Sequence, residues 1–104
     1  MRHTWGTQTA EGSVALSADE DDKCMVAVFD AQRQPRWLRR AQVTVTLSPS
    51  GASATLAPVP GGPAGDSETA NTFLGQLPGV IGSASAEVVL AHSAGTWRAV
   101  VKVG

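Results

Sequence analysis

Three stretches of the chain alternate apolar and polar residues with a period of two, and this pattern limits the possible folds most. The stretches are residues 43–47 (VTVTL), 86–90 (AEVVL) and 97–103 (WRAVVKV). Successive side chains of a β-strand point to opposite faces, so each stretch can bury one apolar row and leave the other row in water. An antiparallel sheet with one solvated face produces this pattern. The sequence therefore predicts an all-β fold, and the alternation by itself indicates no function.

Shorter apolar runs extend this pattern. Residues 13–17, 24–30 and 54–57 are separated by turn-forming segments, which brings the predicted strands to about seven. Their length and spacing favour a single antiparallel β-sandwich with an immunoglobulin-like architecture. Between the strands, the sequence predicts a Pro- and Gly-rich loop at 58–66 and a helical turn at 67–71.

The predicted domain organisation and core follow from these strands. We assign residues 1–12 to an N-terminal arm or edge strand and residues 13–104 to the β-sandwich domain. The predicted core contains the apolar residues that the strands direct inward. These are Val14, Leu16, Val26, Val28, Phe29, Val43, Val45, Leu47, Leu56, Phe73, Leu77, Val88, Leu90, Trp97, Ala99 and Val101.

The charge and the aromatic content both argue against a nucleic-acid partner. A net charge of −1 does not provide the strongly basic face that nucleic-acid binding needs. With no Tyr, two Phe and three Trp, the chain also has few rings on which bases could stack. No apolar run reaches the ~18 residues of a membrane span. We therefore expect neither a nucleic-acid partner nor a membrane span.

Residues 1–5 contain no apolar segment of the kind found in a signal peptide. Two interpretations fit: a cytoplasmic protein, or an exported protein whose leader is not part of this sequence. The low charge and abundance of Ala, Ser, Thr and Gly are common in exported bacterial β-domains. The expected location is therefore periplasmic or secreted.

A basic cluster in the middle of the chain is the candidate partner-binding site. It consists of Arg33, Arg36, Trp37, Arg39 and Arg40, and so contains four of the eight basic residues. Arg and Trp are concentrated at the energetic centres of protein interfaces. The alternative is a solvated connection in which Trp37 covers the edge of the core. The acidic run at 19–22 could pair with this cluster, within the fold or between copies. It lacks the spacing of an EF-hand calcium loop and is expected to form a charged turn.

The candidates for metal-ligand chemistry are His3, Cys24, Met25 and His92, because sulfur and imidazole suit Cu(I) or Zn²⁺. No Cys-x-x-Cys or His-x-x-x-His pair is present. Cys24 lies in an apolar run and is expected to be a buried, inert thiol, the alternative being a reactive thiol or soft ligand. The sequence thus predicts no metal site and no cofactor, with His3 and His92 as the candidates that remain.

The sequence also lacks the motifs of a catalytic site. There is no Gly-x-Ser-x-Gly turn and no Gly-rich phosphate loop leading into a helix. We therefore expect no enzymatic activity, and a small hydrolase is the weakest of the functions considered.

The order of these segments resembles a known group of domains. His3 and Gly6 precede a first strand at 14–16, an acidic turn, the run Met25–Asp30, the strand at 43–47 and a closing hairpin. This order is similar to small β-sandwich domains of bacterial periplasmic proteins, including those near heavy-metal efflux adaptors. Such domains often begin with His-Gly-Gly, whereas here Thr4-Trp5-Gly6 follows His3. The resemblance implies a periplasmic β-sandwich.

The sequence favours a non-catalytic β-sandwich module that mediates protein–protein interaction or self-assembly through the basic cluster. The alternative is a periplasmic domain that handles copper or zinc.

Overall fold

The structure, a computed structural model, describes residues 1–61 and 67–104. Within these ranges the chain forms ten β-strands and no helix, which confirms the prediction of an all-β fold. The strands are β1 (His3–Thr9), β2 (Gly12–Ala18), β3 (Lys23–Phe29), β4 (Leu38–Arg39), β5 (Gln42–Ser48), β6 (Ser53–Pro58), β7 (Thr69–Ala70), β8 (Thr72–Gln76), β9 (Ser85–His92) and β10 (Gly95–Lys102). Residues 62–66 of the predicted Pro- and Gly-rich loop lie outside the described residues.

Eight strands form one curved sheet in the order β1-β2-β3-β8-β6-β5-β9-β10, and each neighbouring pair is antiparallel. The sheet curls until Cα atoms of β1 and β10 approach within 8 Å. No ladder joins those two strands in the described part of the chain. The fold is therefore a nearly closed, barrel-like sheet, with β4 and β7 as a separate two-stranded sheet. The predicted sandwich layering and immunoglobulin-like architecture remain predictions.

The first strand uses most of the predicted N-terminal arm. β1 pairs with β2 over its whole length, from His3 opposite Ala18 to Thr9 opposite Gly12. β1 is the first strand in the order of the eight-stranded sheet and so lies at one of its edges. The division of the chain at residue 12 remains a prediction.

The inward-facing row of each strand forms the core. Val14 lies opposite Val28 in the β2–β3 ladder, and Leu90 lies between Val43 and Trp97 across β5, β9 and β10. Every residue of the predicted core is buried except Phe29. Its placement in the core was wrong, because side chains alternate along β3 and Val28 takes the inward position. Phe29 lies instead on the outer face, opposite Ser13.

The predicted helical turn at 67–71 is also wrong. Residues 67–68 form a turn, and Thr69–Ala70 form β7, in which Ala70 pairs with Leu38. Both paired apolar side chains are buried. Tertiary pairing with a strand about thirty residues earlier therefore overrides the weak local signal for a helical cap.

In each of the two loops at the ends of β3, one aspartate carboxylate accepts hydrogen bonds from two backbone N–H groups. The Asp19 carboxylate accepts backbone N–H bonds from Asp21 and Lys23, at 2.9 and 3.1 Å. The Asp30 carboxylate does the same for Gln32 and Gln34, both at 2.9 Å. Such side-chain bonds replace backbone partners in tight turns. The acidic run therefore forms a hydrogen-bonded turn, with Asp19 stabilising the loop.

Candidate functional site

The basic segment, which we define as residues 33–40, lies across one end of the barrel. It turns back along β3, where Pro35 forms a bridge with Phe29 and the Arg36 N–H donates to the Val28 carbonyl at 3.0 Å. Farther on, the Arg39 carbonyl accepts a bond from the Ser93 N–H in the β9–β10 turn, also at 3.0 Å. These bonds tie the predicted site to two parts of the fold, β3 and the β9–β10 turn, so it is not a free connection.

Leu38 anchors the middle of the basic segment. Its side chain is 2% exposed and packs in the core, whereas the preceding Trp37 is 37% exposed. Neighbouring residues of an extended chain point in opposite directions, so burial of Leu38 directs Trp37 outward. The alternative in which Trp37 covers the core edge stays a prediction.

Trp97 and Arg36 meet at one edge of the core. The Arg36 guanidinium lies 4.4 Å from the centroid of the Trp97 ring and also donates to the Glu11 carbonyl. His92 meets the same ring edge-on, with centroids 5.8 Å apart and planes at 86°. Trp97 is only 8% exposed beneath these contacts. Arg36 therefore has a packing role as well as a charge at the surface.

The other two arginines of this segment converge on one carboxylate. Arg39 donates to Glu68 Oε2 from Nη2 at 2.8 Å and from Nε at 3.2 Å, and Arg40 Nε lies 3.4 Å from the same oxygen. These hydrogen bonds, from Arg39 first and Arg40 second, lower the pKa of Glu68. Glu68 thus holds both arginines in place, and within the described residues this group of three side chains has a net positive charge.

Glu68 was missed in the sequence because it lies 28 and 29 residues after its two partners. Nothing in its neighbours indicates a contact with arginine. The pairing of β4 with β7 and a backbone bond from the Arg40 N–H to the Glu68 carbonyl at 2.9 Å bring the three together.

Arg33 occupies the tip of the Asp30 loop. Its φ of 62° lies in the left-handed region, and its N–H donates to the Asp30 carbonyl at 3.0 Å. The side chain is exposed. The loop therefore fixes the backbone of Arg33 and leaves its guanidinium accessible.

The candidate metal ligands do not converge. Cys24 is buried, and burial raises the pKa of its thiol to about 11, while Met25 follows on the opposite face of β3. His3 stacks on Trp5 with centroids 6.0 Å apart, and His92 packs on Trp97. Burial first, and the charge of Arg36 second, lower the pKa of His92. No group of three or more His, Cys, Asp or Glu side chains in the described residues could hold a metal ion.

In residues 1–61 and 67–104 no helix has the length and apolar character needed to cross a membrane. Comparisons with protein-family models, curated proteins and solved structures found no match to this chain.

Proposed function

We propose that this chain is a non-catalytic β-sheet module that binds an acidic protein surface through Arg33, Arg36, Trp37, Arg39 and Arg40. The observation that carries the proposal is the exposed indole of Trp37 within a segment whose backbone is held on both sides. Large aromatic and Arg side chains supply most of the energy at protein interfaces. An exposed Trp on a backbone that is held in place, in a segment that also carries four arginines, can serve as such an anchor.

Three of the four arginines support this proposal because their side chains are already held by other groups. Glu68 holds Arg39 and Arg40, and the Trp97 ring and the Glu11 carbonyl hold Arg36. Ordering a long side chain during association costs conformational entropy, and contacts made beforehand reduce this cost. Among the described residues, Glu68 is the one carboxylate in these contacts, so four arginines face a single acid and the segment has excess positive charge. A complementary partner would therefore be acidic.

The acidic partner could be a second copy of this chain, because the turn before β3 supplies an acidic surface of its own. Glu20 and Asp21 are exposed in the turn before β3, whereas the basic segment begins after β3. The two charges thus lie at opposite ends of one strand. A head-to-tail contact of this kind would extend into a chain of copies unless its rotation closed a ring.

The ladder lengths support the finer architecture that the sequence predicts. β6 and β8 share only two residue pairs, whereas β5 and β9 share seven. We therefore infer that β1-β2-β3-β8 and β6-β5-β9-β10 act as the two layers of a sandwich. On the basis of these two layers, we propose that the chain resembles the small β-sandwich domains of periplasmic proteins. Copper or zinc handling has no comparable support, because its candidate ligands do not converge.

The proposal is tested with variants that remove exposed groups only. Trp37→Ser and the double variant Arg39→Ser/Arg40→Ser are immobilised beside the wild type and exposed to a native extract at low and high salt. Arg98→Ser is the matched control, because Arg98 is also exposed and also paired with an acid, Glu87. Arg36 is left intact because it packs on Trp97.

We expect the wild type and the control to retain one acidic protein, with capture weakened by salt, and both segment variants to lose it. Sedimentation of the purified chain distinguishes self-association, which the same variants should abolish. If both segment variants capture the same proteins and sediment as the wild type does, the basic segment is not an interface.

A further inference from the structure

A groove of about 460 Å³ lies on the outer face of β1, β2 and β3, and Trp37 is not among its lining residues. Its lining includes Gly6, Gln8, Ser13, Ala15, Phe29 and Arg33. The volume falls within the range of roughly 300–1,000 Å³ that is typical of small-molecule sites.

The register explains why this face is concave. Gly6 lies opposite Ala15 in the β1–β2 ladder, so two of the smallest residues form the floor. Ser13 lies opposite Phe29 in the β2–β3 ladder, and the ring of Phe29 rises beside that floor. The outward position of Phe29, which the sequence did not predict, thus provides an apolar wall.

The charge of the groove comes from one residue. Arg33 is the only charged residue among the described residues that line it. The Asp30 loop fixes the Arg33 backbone beside Phe29. A guanidinium without an acid in the same lining favours a ligand that supplies a carboxylate, which can accept two parallel N–H bonds.

We propose that the groove binds a small apolar carboxylate, with its apolar body between Phe29 and the Gly6–Ala15 floor and its carboxylate on Arg33. An extended peptide fits the face less well, because such peptides bind through the unpaired backbone of a sheet edge. Here β2 is paired on both sides along this face. The site goes beyond the proposed protein interface and shares only Arg33 with it.

Two variants test the site without straining the fold. A Cβ added at Gly6 would lie 3.6 Å from the Val14 carbonyl oxygen, which is an ordinary contact, so Gly6→Val fills the floor. Arg33→Asn removes the cation and keeps a residue that tolerates a positive φ. Thr55→Val is the matched control, because Thr55 is an exposed strand residue on β6 outside the groove lining.

The probe is 4-phenylbutyrate, titrated into ¹⁵N-labelled protein, with uncharged 4-phenylbutanol as its analogue. We expect saturable shifts at the amides of Gly6, Ala15 and Phe29 in the wild type and in Thr55→Val. Affinity should fall about tenfold or more in Arg33→Asn, in Gly6→Val and for the alcohol, because a charge-assisted bond or the floor is lost. The spectrum of each variant without probe is recorded first, to establish that the variant is folded.

Equal binding of 4-phenylbutyrate and 4-phenylbutanol, or equal binding of the acid to Gly6→Val and to the wild type, would each overturn the proposal. So would shifts that do not saturate. Trp37→Ser and Arg39→Ser/Arg40→Ser should bind the probe as the wild type does. Failure of this groove can therefore be distinguished from failure of the protein interface.

Discussion

Arg36 should be the one arginine of the basic segment whose loss destabilises the fold. Its guanidinium lies on the buried Trp97 ring and donates to the Glu11 carbonyl. A cation on an aromatic ring contributes about 0.5–2 kcal/mol, increasing as the cation loses water. The bond to the carbonyl adds to this, although its exposed position keeps the contribution small. We expect Arg36→Ser to lower the free energy of unfolding by about 1–2 kcal/mol, which lowers Tm by roughly 5–15 °C for a domain of this size.

The assay is urea denaturation followed by circular dichroism, with Arg39→Ser as the control. Arg39 is an exposed residue in an ion pair with Glu68, and such pairs contribute about 0–1 kcal/mol. A double-mutant cycle that combines Arg36→Ser with Trp97→Leu isolates the contact itself, because Leu keeps an apolar side chain but removes the ring. The expected coupling is about 0.5–2 kcal/mol.

Two outcomes would refute this reasoning. If Arg36→Ser is no more destabilising than Arg39→Ser, Arg36 does not cover the core edge. If the two substitutions of the cycle are additive, any loss at Arg36 comes from elsewhere than the Trp97 ring.

Three further predictions concern the core and its pH dependence. Trp97→Ala should lower the free energy of unfolding in urea by about 3–5 kcal/mol, and a loss below about 1 kcal/mol would place the ring on the wrong face of β10. Cys24 should not react with a thiol reagent until denaturant is added, because burial raises the pKa of its thiol to about 11, and rapid labelling of the native protein would contradict its position. The pKa of His92 is lower in the folded protein than its ordinary value of about 6.5. Just below pH 6.5 the unfolded chain therefore binds more protons at His92 than the folded chain does. The free energy of unfolding should accordingly fall as the pH drops through 6.5. Denaturation at several pH values should show a flatter dependence in His92→Gln than in the wild type, and equal slopes would exclude His92 as the cause.

The four arginines of the basic segment look alike in the sequence, but the structure gives them different environments. Arg39 and Arg40 share Glu68, Arg36 packs on Trp97, and Arg33 stands at a loop tip beside the groove. A substitution that treats them as one patch would mix effects on folding with effects on binding. The variants Arg33→Asn, Arg36→Ser and Arg39→Ser/Arg40→Ser separate the two.

The sequence alone determined the fold class and nearly all of the core. Period-two alternation is a property of the extended backbone itself, so residues 43–47, 86–90 and 97–103 indicated their buried rows without knowledge of any partner strand. In residues 24–29 the apolar side chains continue without alternation. Either row could have faced inward there, and only the ladder with β2 decided that Val28 is buried and Phe29 is not.

Tertiary structure alone decided four other features. These are the near closure of the sheet, the contact of Arg36 with Trp97, the contacts of Glu68 with two arginines, and the groove on the outer face. Each joins residues that lie far apart in sequence, and no local propensity encodes which strands become neighbours. The path of the chain places them together, because each strand must bury its apolar row against the others. Outward-facing polar side chains such as Arg36 and Glu68 then form contacts with whichever groups this packing places next to them.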